Sequence, residues 1–173
     1  MPALLLTLLV LHALVSLADD DSGWRSDSFI PSAPWREQLA DLPVYPEAGR
    51  LLEVAVTTGN YPYLVYIDPE SLSVGADRVV RYAVVIVSAT GARNVAYEGL
   101  RCTTRKYRRY AYGANGGWQA LAEAPWERIM ESGMGRYRYE LYRYYLCDTT
   151  SDSLKRDEIL RRLRYSRGGV VDE

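Results

Sequence analysis

The chain has 173 residues, 48% of them hydrophobic, and its 21 basic and 22 acidic side chains give a formal net charge of −1. This length and composition indicate one globular domain with its own core, and the near-neutral charge argues against a protein that binds nucleic acid over its whole surface. The only histidine, His12, lies in a segment that we expect to be removed. The mature chain would then lack histidine metal ligands and the Ser-His-Asp and Cys-His nucleophile systems, so we expect neither a metal site nor a cofactor.

Residues 3–18 form an almost wholly apolar run that ends at three consecutive aspartates. The run is shorter than the ~20 residues of a transmembrane helix, and Ser16 and Ala18 place small side chains at the positions that a signal peptidase reads. We expect residues 1–18 to be a signal peptide cleaved after Ala18, which gives a periplasmic product that does not span the membrane. No Lys or Arg precedes the run, which leaves the start codon open, and a buried N-terminal strand or helix is the alternative.

Residues 19–50 hold four prolines and show little hydrophobic periodicity. We expect an irregular arm that lies over a sheet, with a short helical turn at residues 35–39. The predicted organisation is therefore a signal peptide at 1–18, this arm, a single domain at 51–165 and a tail at 166–173.

Five segments rich in β-branched and aromatic residues predict strands. They are residues 51–57, 63–67, 78–88, 93–104 and 107–112. The third is apolar at both odd and even positions, which is typical of a central strand covered on both faces. Residues 89–92 predict a hairpin turn centred on Thr90 and Gly91, and the glycine-rich residues 113–117 predict a loop.

The rest of the chain has helical patterning. We predict a short helix at 125–133 that begins at a proline, a tyrosine-rich helix at 137–146 and an amphipathic helix at 153–165. Strands followed by helices, rather than alternating with them, predict an α+β fold. We expect an antiparallel sheet of about five strands with the C-terminal helices packed on one face.

Two cysteines, Cys102 and Cys147, lie in the expected mature chain. In an oxidising compartment this minimal even count predicts one disulfide. Closing the loop between them would contribute about 4 kcal/mol in the chain-entropy model. Two free buried thiols are the alternative.

Glu98 is the carboxylate of most interest because it lies in the middle of a predicted strand. Counting the hairpin about its predicted turn pairs Ala83 with Glu98 and places Arg81 on the same face as Glu98. Under a helix both charges would be desolvated, so we predict an Arg81–Glu98 ion pair. The alternative is that Glu98 acts as a general acid or base, which a second carboxylate nearby, such as Glu53 or Asp77, would support.

Charge is unevenly distributed along the chain. Residues 19–77 carry 3 basic and 11 acidic side chains, a net of −8, whereas residues 78–146 carry 12 and 5, a net of +7. Either the acidic segment wraps and neutralises the basic one, or the basic segment forms a surface that faces an anionic partner.

Aromatic residues make up 12% of the chain, and 15 of them are tyrosines. Tyrosine suits half-exposed recognition surfaces. The candidate ligand-binding residues are Tyr97, Arg101, Tyr110, Tyr112 and Trp118.

The leading hypothesis is a non-enzymatic binding or envelope-assembly module with an aromatic and arginine-rich face. Its partner would be an anionic cell-envelope polymer, lipid head groups or another envelope protein, and not nucleic acid, which an exported protein rarely meets. The alternative is a hydrolase of envelope polymers that uses Glu98 as its acid or base.

The stretch SLSVGADRVVRYAVVIVSATGARNVAYEGLRC, residues 71–102, resembles the cryptic neisserial protein-like family of exported proteobacterial proteins. The agreement continues through Lys106, Tyr107, Trp118 and Trp126 to the run LYRYYLC, which ends at Cys147. It covers roughly residues 35–165. The resemblance implies an envelope location and assigns no catalytic or binding residue.

Overall fold

The computed structural model describes residues 34–39, 41–57, 60–150 and 152–165. The chain separates into two units, Met1–Pro34 and Trp35–Glu173, and every described helix and strand belongs to the second. The expected signal peptide, the first part of the predicted arm and the expected tail at 166–173 lie outside the described residues.

The core of the fold is an antiparallel sheet in the order β1-β2-β3-β4-β5-β6, with β7 paired to the same strand as β6. An α+β fold with an antiparallel sheet is confirmed, but the sheet has seven strands within the described residues rather than about five. The strands are β1 (Leu52–Val54), β2 (Tyr63–Val74), β3 (Val79–Ser88), β4 (Arg93–Arg101), β5 (Lys106–Ala114), β6 (Gly117–Ala120) and β7 (Glu127–Arg128).

Three predicted elements, a loop, a helix and a strand, differ from the structure in extent or type. The predicted loop at 113–117 is shorter, because β5 runs on to Ala114 and β6 begins at Gly117, and the predicted helix at 125–133 instead contains β7. The second strand continues beyond the predicted stop at Asp68–Pro69, with a register shift between Asp68 and Ser73. Proline is tolerated there because β1 pairs only with residues 65–67, so this part of β2 lies at an irregular sheet edge.

The prediction of a central strand is confirmed for β3, which pairs with β2 and β4 and is buried from Val79 to Val85. The predicted hairpin register, however, is wrong by one residue. The turn is a three-residue loop, in which Gly91 takes a φ of +81° and the Ser88 N–H donates to the Ala92 carbonyl. Tyr82 therefore lies opposite Glu98, and Arg81 lies opposite Gly99.

This register divides the sheet into two faces. We call the face that carries Tyr82, Val84 and Glu98 the helix face, and the face that carries Arg81, Ala83 and Tyr97 the arm face. On the helix face, the strand side chains pack against Tyr137, Leu141, Ile159 and their neighbours. The arm face is covered by the described part of the predicted arm.

Helices form close to two of the three predicted segments. The tyrosine-rich segment is an α-helical turn, α1 (Tyr137–Glu140), that continues as a π-helix over Leu141–Leu146. The C-terminal helix is α2 (Arg156–Tyr165), three residues shorter at its start than predicted. In the part of the chain that the structure describes, no helix combines the length and apolar character needed to cross a membrane.

The predicted disulfide is present. Cys102, just after β4, is bonded to Cys147, at the end of the π-helix, with their Cα atoms 5.7 Å apart. Both residues are at most 3% exposed. The bond therefore ties the sheet to the helical layer in the interior.

The arm is held to the sheet by Asp77 and Arg81. The Asp77 carboxylate accepts hydrogen bonds from Arg81 at 2.6 and 3.1 Å and from the Gln38 N–H at 2.9 Å. The Trp35 indole donates to the Asp77 carbonyl at 2.8 Å. The expected helical turn at 35–39 is absent from these described residues, and the helical turn nearest to them is a 3₁₀ turn at Ala48–Arg50.

The predicted Arg81–Glu98 ion pair is therefore wrong. Arg81 faces the arm and pairs with Asp77, while Glu98 faces the helices. A one-residue register error is sufficient to cause this, since successive strand residues point to opposite faces.

Asp77 gives this attachment a pH dependence. Burial alone would raise the pKa of its carboxyl, but hydrogen bonds from Arg81 and from the Gln38 and Val79 N–H groups outweigh burial and lower that pKa below 3.8. A carboxyl with a depressed folded pKa stabilises the fold above its unfolded pKa, and this contribution is lost as the pH falls through the folded pKa. We expect an Asp77-dependent loss of stability below about pH 4.

Asp77→Asn is expected to lower the free energy of unfolding at neutral pH by about 1.5–3 kcal/mol, because a charged hydrogen-bond acceptor is lost. Urea unfolding across the acid range should also show a flatter pH dependence for this variant than for wild type. The control is Asp152→Asn, since the partner of Asp152 is Arg78, whose side chain is 65% exposed. If the free energy of unfolding falls equally with decreasing pH in wild type and in Asp77→Asn, the prediction is contradicted.

Candidate functional site

A cleft of about 370 Å³ opens on the helix face, between β4, β5 and the segment that leads into α1. Its lining includes Tyr61, Tyr63, Glu98, Arg109, Tyr112, Met134 and Arg138. These residues come from four separate parts of the sequence, so the cleft exists only in the folded chain. We refer to this feature as the cleft.

Glu98 lies at the base of the cleft and is 0% exposed. Arg138 binds both of its oxygens, with Nε 2.9 Å from Oε2 and a terminal nitrogen 2.5 Å from Oε1. The Tyr137 hydroxyl lies 3.0 and 3.1 Å from the same two oxygens, and Arg109 Nε lies 3.3 Å from Oε1. Two guanidinium groups and one hydroxyl therefore surround a single carboxylate.

Local strand geometry places Arg109 beside Glu98. The pairing of β4 with β5 shifts register between Tyr97 and Glu98, and beyond this shift Glu98 lies opposite Arg109. Such irregularities redirect side chains in a strand. Tyr137 and Arg138 arrive from the first turn of α1, which packs across the same face.

The surroundings of Glu98 raise the pKa of the buried tyrosine and arginine side chains near it. Burial raises the pKa of Tyr82 and of Tyr137 well above the ordinary value, and the negative charge of Glu98 raises both further. Burial acts to lower the pKa of Arg138, but the charge of Glu98 outweighs it and the net pKa is raised. Arg138 also stacks over the Tyr107 ring, at 3.8 Å from its centroid. Tyr137 and Arg138 therefore remain hydrogen-bond donors to Glu98.

Arg109 is the more accessible of the two arginines that contact Glu98. Its side chain is 28% exposed, against 7% for Arg138. A terminal nitrogen of Arg109 donates to the Tyr112 hydroxyl at 3.1 Å, and its guanidinium lies 5.0 Å from the centre of the Tyr112 ring. Tyr112 therefore orients the Arg109 guanidinium at the wall of the cleft.

The lining of the cleft carries excess positive charge. Among the described residues that line it, Arg93, Arg109 and Arg138 are cationic and Glu98 is the only acid, a net of +2. Arg138 by itself forms the two-point contact with Glu98. Glu98 pairs with both arginines, so one carboxylate faces two guanidinium groups and these three residues keep a net charge of +1.

Tyrosine rings form another part of the lining. Tyr61 and Tyr63 meet edge to face, with centroids 5.5 Å apart and planes at 66°. The Tyr61 hydroxyl donates to the Met134 carbonyl at 2.7 Å, which fixes that ring against the segment before α1. Burial raises the pKa of Tyr61 to about 12, so this hydroxyl remains a donor at physiological pH.

Of the five candidate ligand-binding residues, Tyr112 alone lines the cleft. Tyr97 and Tyr110 lie on the arm face with ring centroids 5.6 Å apart. Trp118 donates to the Pro43 carbonyl, and Arg101 stacks under Trp35 at 3.9 Å. These four residues are brought together with the arm rather than with the cleft.

Glu37 of the arm is the centre of the polar contacts in that region. It accepts hydrogen bonds from Arg108 at 2.7 Å, from the Tyr110 hydroxyl at 2.6 Å and from the Trp126 indole at 3.0 Å. The aromatic and arginine-rich segment is therefore partly neutralised by the acidic arm. This was one of the two interpretations of the charge asymmetry.

Sequence reasoning missed Tyr61, Tyr63, Arg109, Tyr137 and Arg138 as residues of a common site. Runs of alternating arginine and tyrosine predict a strand or a helix but do not indicate which distant residues meet. The contact between Glu98 and Arg138, for example, joins residues 40 positions apart. Side chains alternate between the two faces of a strand, so the position of Arg109 in β5 would have shown that it faces the helices. That inference requires knowledge of the register shift in β5.

The arrangement does not favour acid–base catalysis by Glu98. Glu53 and Asp77, the two carboxylates that would have supported it, do not line the cleft. Glu53 lies opposite Tyr66, on the arm face, and Asp77 binds Arg81. Among the described residues, no group of three or more His, Cys, Asp or Glu side chains is arranged to hold a metal ion.

Comparison with known proteins identifies a family. Residues 31–164 match the model of the CNP1-like family. No curated protein and no solved structure matches the chain.

Proposed function

The chain belongs to the CNP1-like family, and we propose that it is an exported, periplasmic binding module whose cleft takes an anionic ligand of the cell envelope. The proposal rests above all on Arg109, whose charge the carboxylate of Glu98 does not fully offset because Arg138 already binds both oxygens of Glu98. The module is non-enzymatic in this proposal, because Glu98 serves to position arginines.

The physical basis is electrostatic. An arginine guanidinium binds carboxylate or phosphate through paired hydrogen bonds, and a partly enclosed site strengthens such contacts relative to open solvent. The cleft volume of about 370 Å³ falls within the range of small-molecule sites. Arg109 is held in place by Glu98 and Tyr112, so little side-chain freedom is lost when an anion binds.

The compartment is supported by two separate features. Residues 3–18 have the apolar character and small C-terminal side chains of a signal peptide. The buried disulfide between Cys102 and Cys147 is typical of proteins that fold in an oxidising compartment. An envelope polymer is the anionic ligand that such a location makes available.

Arg109→Gln is expected to weaken binding by about tenfold or more, since one charge-assisted contact is worth about 1.5–3 kcal/mol. Calorimetric titration with peptidoglycan fragments, acidic oligosaccharides and anionic-lipid vesicles, each at low and high salt, measures this. The matched control is Arg161→Gln, which removes the same charge from an exposed position on α2 that pairs with Glu158.

Binding that weakens with salt, is lost in Arg109→Gln and is retained in Arg161→Gln supports the proposal. Absence of salt-dependent binding of all these anions would overturn it. So would an equal loss in the two variants, because that would indicate attraction by overall charge rather than by the cleft.

A further inference from the structure

We propose that the ligand of the cleft is an acidic sugar, with its carboxylate on Arg109 and its ring against the tyrosine wall. This inference rests on the proposed function and narrows it from anions in general to one chemical class. It depends on three features: the tyrosines beside Arg109, the size of the cleft and the pairing of the strands that border it.

The wall beside Arg109 suits a pyranose ring. Tyr61, Tyr63 and Tyr112 all line the cleft. Tyr61 and Tyr63 meet edge to face, and both side chains are partly exposed. A sugar has an apolar C–H face and a rim of hydroxyl groups, and tyrosine offers both a ring face and a hydroxyl at low entropic cost.

The size of the cleft limits how much of a ligand it can hold. Its volume of about 370 Å³ is near the lower end of the range for ligand pockets, about 300–1,000 Å³. It therefore accommodates a small molecule or a single unit of a polymer.

The neighbouring strands argue against an extended peptide. Peptides that bind to sheets add a strand to an unpaired edge. Here β4 lies between β3 and β5, and the outer edge of β5 pairs with both β6 and β7. Around Glu98, β4 is paired on both sides, so this part of the cleft lies over a sheet face.

The position of the positive charge then selects an acidic sugar over a neutral one. Arg109 lies at the wall of the cleft and is joined through its terminal nitrogen to Tyr112. A guanidinium matches a planar carboxylate. A uronic-acid unit carries both the ring and the carboxylate, whereas phosphate lacks the ring and a neutral hexose lacks the charge.

The test compares four probes on the full-length mature protein by calorimetry at low salt. They are a glucuronic acid oligosaccharide, the corresponding glucose oligosaccharide, inorganic phosphate and an oligoglutamate peptide. We expect the acidic sugar to bind at least about tenfold more tightly than each of the other three. In Tyr63→Ala its affinity should fall by a similar factor while phosphate affinity stays unchanged, and Tyr63→Phe should retain binding.

The control variant is Tyr144→Ala, which removes a tyrosine that is 51% exposed and outside the cleft lining. If phosphate or the peptide binds as tightly as the acidic sugar, this inference fails while the proposed function stands. If no anion binds, both fail. The comparison of ligands on the wild-type protein decides the question even where a tyrosine variant does not fold.

Discussion

Glu98→Ala is expected to lower the free energy of unfolding by about 3–5 kcal/mol, because it leaves a buried guanidinium without its counter-charge. Glu98 is 0% exposed, and the side chain of Arg138 is 7% exposed. The same change also removes the acceptor of the Tyr137 hydroxyl. Urea unfolding monitored by tryptophan fluorescence measures the loss.

Three further variants separate this effect from simple removal of a carboxylate. Glu131→Ala removes the exposed partner of Arg105 and is expected to cost under about 1 kcal/mol. Arg138→Ala in the Glu98→Ala background should cost much less than Arg138→Ala alone, since the two residues are directly coupled. Glu98→Gln keeps the shape of the side chain and removes only its negative charge, so it measures the contribution of that charge to stability. A Glu98→Ala protein as stable as wild type would show that the ion pair does not support the fold.

Removal of the disulfide by Cys102→Ala/Cys147→Ala is expected to lower the free energy of unfolding by about 4 kcal/mol. The bond spans 45 positions, so the unfolded chain gains considerable freedom when it is absent. It also joins the end of β4 to the end of the π-helix, so the helical layer over Glu98 should loosen. Denaturant titration of the oxidised protein and of the double variant measures the difference.

A reductant supplies the matched control. It should destabilise the wild-type protein and leave the double variant unchanged. Non-reducing mass spectrometry of protein from periplasmic extract should also show a peptide pair that joins Cys102 to Cys147. Two alkylatable thiols in the native protein would contradict the disulfide and remove one of the two supports for export.

Most of the secondary structure follows from local sequence patterns. The apolar run of β3 predicted its central place, and the tyrosine-rich and C-terminal segments predicted helices where α1, the π-helix and α2 occur. The failures lie where local preference is weak. Residues 127 and 128 became a strand because the edge of β5 was available for pairing, although the sequence around them is compatible with a helix.

The sequence by itself determined the α+β class, the antiparallel sheet and the disulfide partners, because each depends on periodicity, order along the chain or residue type. The family followed from sequence similarity over residues 31–164. Only the tertiary structure decided the partner of Glu98. A loop of three residues rather than two moved Arg81 to the opposite face of the sheet from Glu98, where it joined Asp77, and packing of α1 brought Arg138 into place. The hairpin register and the packing of α1 also form the cleft. Neither could be read from the sequence, because no local pattern encodes a strand register or a contact between residues 40 positions apart.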